Sequence, residues 1–526
     1  MAFLSATALL YATAALIIYH VVSSYLTHRQ LQRFAKTNNA SFAKHVPTKL
    51  PFGIDFVWRT VSTVSNGGDL LDDVYGPLYA ANGTTFSMPS IGSTAEMFTI
   101  DPANIQAILA TKFQDFPIGE KRNSAFRLLL GDSILTTDGA FWEHSRALFR
   151  PQFSREQISD LGKTEASVQA LFEALPLVGT EHNGSVEVDI MPIIFRFTLD
   201  TSTDFLFGES VDSQRTAAVG VTSMTSATAA MAADQGSNEM TFAEAFHEAP
   251  LWILTRVRLQ GLYWLAPSKK GKKAAEYLRR YTDHYVRLAK AEVGKDKHGL
   301  LNTLVEQTRD EVELRDQILA MLVAGRDTTA TLLSWVILLL AQHPEAFRRL
   351  RQEVIRDFGE YTTDPWNINF STLKACKYLQ FVLRETLRVY DSVPINARVA
   401  ARDTVLPRGG GADGSLPIVV QKGQTVNFVP YLLHRREDMW DAATEFRPER
   451  WEGVKLDWTY IPFSGGPRIC LGQQFALTEA GYLLARLTQK FERIDWLGPP
   501  GKPKKDVLFT LSPRDGVHIR LHYAHS

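Results

Sequence analysis

From Phe3 to Leu26 the chain carries no Asp, Glu, Lys or Arg, and most positions are apolar. Those twenty-four residues, wound as a helix, reach about 36 Å, enough to cross a bilayer. Pro47, Pro51 and Gly53 then punctuate the chain and predict a linker and entry turn. Mixed short elements follow. Residues 213–240 are rich in Ala, Ser, Thr and Gly, which predicts a mobile surface connection or weak helix ends, not core. From Leu314 to Ala341 a proline-free stretch is apolar nearly all round, the pattern of a buried helix, and His343-Pro344 ends it. A second membrane span competes with that reading. Arg326 and Asp327 interrupt it, and Thr331–Ala341 alone is too short to cross. Further helices are expected at Pro344–Phe358, Leu373–Val389 and Ala476–Phe491, and short strands between Arg398 and Val429. The expected fold is mainly α with minor β.

Composition narrows the function classes. Length alone, 526 residues, would suggest about three domains. Lys+Arg and Asp+Glu are equal at 57 each, which gives no reason to propose nucleic acid as a partner. The two cysteines, Cys376 and Cys470, cannot build a disulfide framework or a Cys-rich zinc site, and fit a reduced, cytosol-facing protein. Arg29, Arg33 and Lys36 follow the first apolar run, and the first acidic residue is Asp55, so the positive-inside rule keeps the body cytosolic. A cleaved signal peptide would need Ala12-Thr13-Ala14 as its site. That site lies inside the run and no basic residue precedes it, which favours a retained anchor. The expected division is an anchor over 1–28, a linker over 29–60 and one catalytic body over 61–526. With that topology the sequons at Asn82, Asn183 and Asn369 stay unmodified.

The chemistry centres on Pro462-Phe463-Ser464-Gly465-Gly466-Pro467-Arg468-Ile469-Cys470-Leu471-Gly472. A cysteine thiolate is a strong donor to iron and favours O–O cleavage. Gly466 and Gly472 would let a tight loop approach a flat macrocycle, Arg468 could neutralise a haem propionate, and Phe463 could shield the proximal face. A lone cysteine in a turn is otherwise a small buried hydrophobe. In the long helix, Gly325, Asp327 and Thr328 break local helix preference, as functional residues do, although Asp and Thr also cap or kink helices. Glu385 and Arg388 lie at i, i+3 on one helix face, as a surface ion pair would. Trp142 and Arg146 lie one helical turn apart.

Phe463, Gly466, Arg468, Cys470 and Gly472 match the fixed positions of the haem-thiolate loop of the cytochrome P-450 superfamily. Glu385-Thr386-Leu387-Arg388 resembles its Glu-x-x-Arg helix, and Phe446–Trp451 its companion segment, in which Arg450 would complete a buried structural network. Trp142 with Arg146 resembles the Trp-x-x-x-Arg helix that reaches a propionate, and Arg398 matches another propionate-binding arginine. Ala324-Gly325-Arg326-Asp327-Thr328-Thr329 resembles the oxygen-activating segment. There the resemblance implies that Gly325 leaves room for dioxygen, Thr328 bonds its distal oxygen and Asp327 relays protons.

The resemblance runs from about Asp101 to Leu521. It is nearest to the fungal alkane and fatty-acid hydroxylases in Asp101–Asp115, Leu130–Arg155, Ala324–Thr329, Leu406–Gly411 and Cys470–Glu479. It implies heme b, an NADPH-dependent flavoprotein reductase, O2, a hydrophobic small-molecule substrate and membrane lipid as partners, with single-pass residence in the endoplasmic reticulum membrane. The substrate would be the terminal methyl of an alkane, a fatty acid or the aliphatic tail of a secondary metabolite. By analogy Phe116–Leu130, residues 235–260, Met321–Gly325, Ser392–Ala397 and Leu508–Ser512 would line the pocket. Two positions depart from that branch: Asp391 stands where proline is usual, and Ile395 where arginine is frequent. A haem-thiolate isomerase or dehydratase without reductase, and a haem-binding sensor, are the rival classes.

Overall fold

The organising element of the computed structural model is one helix, Glu311–Gln342, of 32 residues, about 48 Å at ~1.5 Å per residue. The structure describes residues 6–90, 95–154, 160–219, 240–291, 299–362, 365 and 367–524. Asp310 caps the long helix by accepting from the Val312 and Glu313 amides, and Glu311 and Glu313 in the first turn complement its dipole. At the other end the His343 amide donates to Leu339 O, and Pro344 opens the next helix, Pro344–Phe358.

Length and hydropathy would let the long helix cross a membrane. It lies inside the body instead, packed by helices Glu120–Leu130, Met191–Phe207, Lys269–Ala291 and Lys377–Val389. Its first half, with Leu314, Ile318, Leu319 and Leu322, belongs to one apolar cluster. Its second half, from Ala330 to Ala341, belongs to another. Residues 324–328 fall between the two clusters and are only partly buried. A cavity opens at that seam. Because both cores share one helix, the two clusters do not separate into domains.

Among the described residues, the sheet that holds Asn396–Val399 and Thr425–Phe428 is the one whose strands line the cavity. One sheet runs in the order Lys44–His45, Thr85–Met88, Glu96–Thr99, Thr425–Phe428, Asn396–Val399. In it Asn396–Val399 pairs antiparallel with Thr425–Phe428, and Arg398 stands opposite Val426. The other larger sheet joins Phe491–Trp496, His518–Tyr523, Ser185–Asp189 and Thr180–His182.

Several boundaries differ from those expected. The division at residue 28 falls inside a single helix, Ala6–Thr37. The basic residues mark a change in polarity, but nothing before Asn38-Asn39 breaks the helix, and Leu31 and Ala35 dock on Val419. The expected linker over 29–60 also holds strand Lys44–His45 and the start of helix Ile54–Ser65. The helix expected at 373–389 is two, Phe370–Ala375 and Lys377–Val389, because Cys376 takes an extended conformation between them. The last long helix starts at Gln473, three residues before the expected Ala476. Of the segment 213–240, Ser213–Val219 is helical, its start tied to the Asp200 carboxylate by the Ser213 and Gln214 amides. Residues 220–239 lie outside the described residues.

Candidate active site

The cavity at the seam has a volume of about 630 Å³. One wall carries Phe463, Cys470, Leu471 and Gly472, and another carries Ala324, Gly325, Asp327 and Thr328. Residues more than a hundred positions apart therefore meet across one space. The cysteine loop is built by its backbone. The Cys470 amide donates to Phe463 O at 3.0 Å and the Ile469 amide to Gly466 O at 3.1 Å. Gly466 sits at φ 66°, and a Cβ there would lie 1.8 Å from Leu109 O. Gly466→Ala is therefore expected to displace the loop from its neighbour, at a cost above about 2 kcal/mol. Haem content and melting temperature of the purified variant check this.

The Cys470 sulfur is open to the cavity yet enclosed by protein. Burial pushes its thiol up, while the Gly472 and Gln473 amides and the Arg146 guanidinium favour the thiolate. Gly472 leaves the sulfur side uncrowded, since a Cβ there would be 4.0 Å from Sγ.

Arginines crowd one rim. Arg468 donates to Thr137 O and to Asp138 Oδ1, each at 2.7 Å, and stacks on Trp142 at 4.4 Å. Arg398 is buried over Phe428 and bonds Asn396 Oδ1 at 3.1 Å. Arg146 donates to Ile469 O and lies over Trp142. Burial lowers Arg398 to about 9, with Arg122 and Arg468 lowering it further and Asp138 opposing. Burial likewise lowers Arg468 to about 10.

Arg122, from helix Glu120–Leu130, joins this group and also bonds Asn396. Sequence reasoning missed it as a specific residue, because Lys121-Arg122 reads as an ordinary solvated pair. The buried Nε atoms of Arg122 and Arg468 have no hydrogen-bond partner among the described residues. Three guanidiniums around one carboxylate leave surplus positive charge, which suits an anionic ligand edge. A flat macrocycle with two carboxylates would fit both the cavity and the surplus charge.

On the opposite wall the Thr328 hydroxyl donates to Ala324 O at 2.8 Å. Asp327 Oδ1 is held by Arg326 at 2.9 Å, and that guanidinium lies between the Phe195 and Phe246 rings at 5.0 and 5.1 Å. Gly325 lines the cavity, and a Cβ there would meet Ser202 Oγ at 3.5 Å, an ordinary contact. Ser392 Oγ donates to Thr328 O at 3.2 Å, tying the strand lead-in to the long helix.

Glu385, Arg388 and Arg450 do not line the cavity. They form a network with Glu385 and Arg388 fully buried and Arg450 partly so: Arg388 grips Glu385 through two bonds of 2.8 and 2.9 Å, and Arg450 Nε adds a third at 2.8 Å. Arg388 also donates to the carbonyls of His434, Ala443 and Glu445. Of the expected lining segments, three contribute four or five residues each to the wall, and Leu508–Ser512 contributes Phe509 and Thr510. From 240–258 only Val257 does so among the described residues, and 235–239 fall outside them. Ile395 faces the cavity, where the arginine frequent in the resembling branch would have stood.

The sequence model of the Cytochrome P450 family matches residues 74–516. Cytochrome P450 monooxygenase g430 of a Fusarium species is 40% identical, covering 98% of this chain and 90% of that protein. Cytochrome P450 52A5 of Candida maltosa is 42% identical, covering 97% and 95%. The crystal structure of the cytochrome P450DA heme domain superposes with a TM-score of 0.72 at 21% identity, over 92% of this chain and 98% of that one, a likeness of fold.

Proposed function

The chain belongs to the cytochrome P450 family, and we propose that it is a membrane-bound monooxygenase that hydroxylates a C–H bond at or near the end of an aliphatic chain. The observation that carries this reading is the shared cavity: Cys470 faces Gly325, Asp327 and Thr328 across it, and the remaining wall is largely apolar, with Phe126, Leu206, Val257, Leu332 and Phe509. An apolar wall selects and orients an aliphatic chain and keeps water out.

The haem of this family would supply oxygen activation when bound, and Cys470 would hold it as a thiolate. Arg398, Arg468, Trp142 and Arg146, joined by Arg122, would hold its propionates. Phe463, Gly466 and Gly472 shape the thiolate loop, and the amides near the sulfur tune its donor strength. Thr328 can pass a hydroxyl proton into the cavity once it turns from Ala324 O. Asp327, between Arg326 and the cavity, is placed to resupply it. In Thr328→Ala, product formed per NADPH consumed is expected to fall about tenfold or more, with peroxide making up the difference. Unchanged coupling refutes the role.

Electrons come from an NADPH-dependent flavoprotein reductase in this reading. The exposed apolar residues of helix Ala6–Thr37, among them Tyr11, Leu16, Ile18 and Val21, suit a lipid interior, and Val57, Trp58 and Val61 of helix Ile54–Ser65, with Phe52 in the turn before it, add exposed apolar surface. An anchor in the endoplasmic reticulum membrane with a cytosolic body accounts for both.

The test is reconstitution with reductase and NADPH against alkanes, fatty acids and aliphatic-tailed metabolites. The expected product carries one added hydroxyl near the chain end. With Ile395 in the wall in place of arginine, an uncharged or bulkier head group is accepted as readily as a free carboxylate. A rearranged or dehydrated product formed without NADPH would instead establish the isomerase or dehydratase class. Haem binding with no turnover of any kind would establish the sensor.

A further inference from the structure

The carboxylate of Asp327 is placed by its neighbour in the chain. Arg326 Nη1 donates to Asp327 Oδ1 at 2.9 Å, and among the described residues this is the one hydrogen bond that either side chain makes. Residues i and i+1 of a helix leave its axis about 100° apart and do not face one another. Both side chains therefore lean round the helix to meet, and the position of the guanidinium decides where the carboxylate rests.

Apart from Asp327, nothing polar among the described residues holds that guanidinium. Its Nε is buried and has no hydrogen-bond partner among them. Two rings hold it instead: Phe195 from helix Met191–Phe207 at 5.0 Å, and Phe246 from helix Phe242–Arg258 at 5.1 Å. Phe246 belongs to the apolar cluster around the first half of the long helix, and Phe195 packs against the cluster around its second half. The cation thus spans the seam at which the cavity opens. Asp327 lines that cavity and Arg326 does not. The Arg326 side chain is 12% exposed, so its contacts with the rings are stronger than they would be at an open surface. Rings from two different helices leave a planar guanidinium little freedom to turn.

We propose that Phe195, Phe246 and Arg326 are positioning residues for proton supply: the rings fix the guanidinium, and the guanidinium fixes Asp327 at the cavity margin. Asp327 Oδ2 makes no hydrogen bond among the described residues and is left to take a proton from water. Asp327 passes that proton to the Thr328 oxygen as the Thr328 proton leaves for the cavity, so both residues end as they began. Without the rings the carboxylate turns among several rotamers and spends less time at the margin. This inference rests on the monooxygenase reading for its functional consequence, but not for the placement of Asp327.

The test uses full-length, haem-loaded protein and two readouts. One is product formed per NADPH consumed, measured per haem with reductase and with hexadecane or palmitic acid as the probe substrate. The other is the crystal structure of each variant. Arg326→Gln is expected to lower coupling about tenfold, the scale of one charge-assisted hydrogen bond, with peroxide making up the difference. Phe195→Leu keeps apolar bulk but no ring, and is expected to lower coupling about threefold and to break the 2.9 Å contact between Arg326 and Asp327. Phe195→Tyr keeps the ring and retains both. Added to Arg326→Gln, Phe195→Leu costs no further coupling, because the two act through one contact. A role in packing alone would lower haem content and melting temperature, leave coupling per haem equal in Phe195→Leu and Phe195→Tyr, and make the losses additive. That result overturns the proposal, as does unchanged or higher coupling in Arg326→Gln, or an intact Arg326–Asp327 contact in Phe195→Leu. If Phe195→Leu does not accumulate as folded protein, Phe195→Met replaces it with the same readouts and the same expected losses. A wild type that hydroxylates neither probe counts against the aliphatic monooxygenase reading, while the crystal structures still decide whether the rings place Asp327.

Discussion

Cys470→Ala is expected to lose monooxygenase turnover by at least about three orders of magnitude, since the residue acts as one unit with its partners and nothing else in the loop can replace it. The structural cost is small. The side chain faces the cavity, and the bond from the residue 470 amide to Phe463 O survives the substitution. The arginine rim is untouched, so the variant still takes up haem, though more weakly. What disappears is the thiolate-type band of the reduced carbon-monoxide complex. Optical spectra of the purified variant beside the wild type check this directly. Survival of that band would mean that Cys470 is not the thiolate that holds the haem.

Glu385→Gln should be the most destabilising single change in the body. Glu385 is wholly buried and receives Arg388, Arg450, the Arg447 amide and the Trp451 indole. Glutamine has nearly the same shape but removes the one negative charge that offsets two buried guanidiniums. Stranding a buried charge costs about 3–5 kcal/mol, a large share of a total stability of about 5–15 kcal/mol. Removing Arg388 as well does not rescue it, because the carbonyls of His434, Ala443 and Glu445 then lose their donor. Denaturant midpoints and the yield of haem-loaded protein are the measurements. A shift below about 1 kcal/mol would mean that the network is dispensable.

Much of this organisation could be read before the structure. The long helix was legible because unbroken apolar periodicity leaves a buried helix few alternatives, and His343-Pro344 marks its end. The cysteine loop was legible because Gly466 answers a local backbone demand, φ 66°, while the close approach of Leu109 O to it was not legible. Boundaries were read less well. The change from apolar to basic residues near position 28 is a statement about solvent, and helix Ala6–Thr37 ignores it. Cys376 breaks a helix with no proline or glycine to announce it.

What residue order alone determined were the features that depend on near neighbours: helix periodicity, the turn around Cys470, the Glu385–Arg388 spacing and the apolar run at the start. What only tertiary structure decided were the meetings of residues far apart in the chain. Arg122 joins Arg398 and Arg468 around Asp138, Arg326 is wedged between Phe195 and Phe246, and the His434 ring accepts the Ile461 amide. Each depends on how buried polar groups find partners, and in a dry interior that is settled by which elements pack together, not by the local chain.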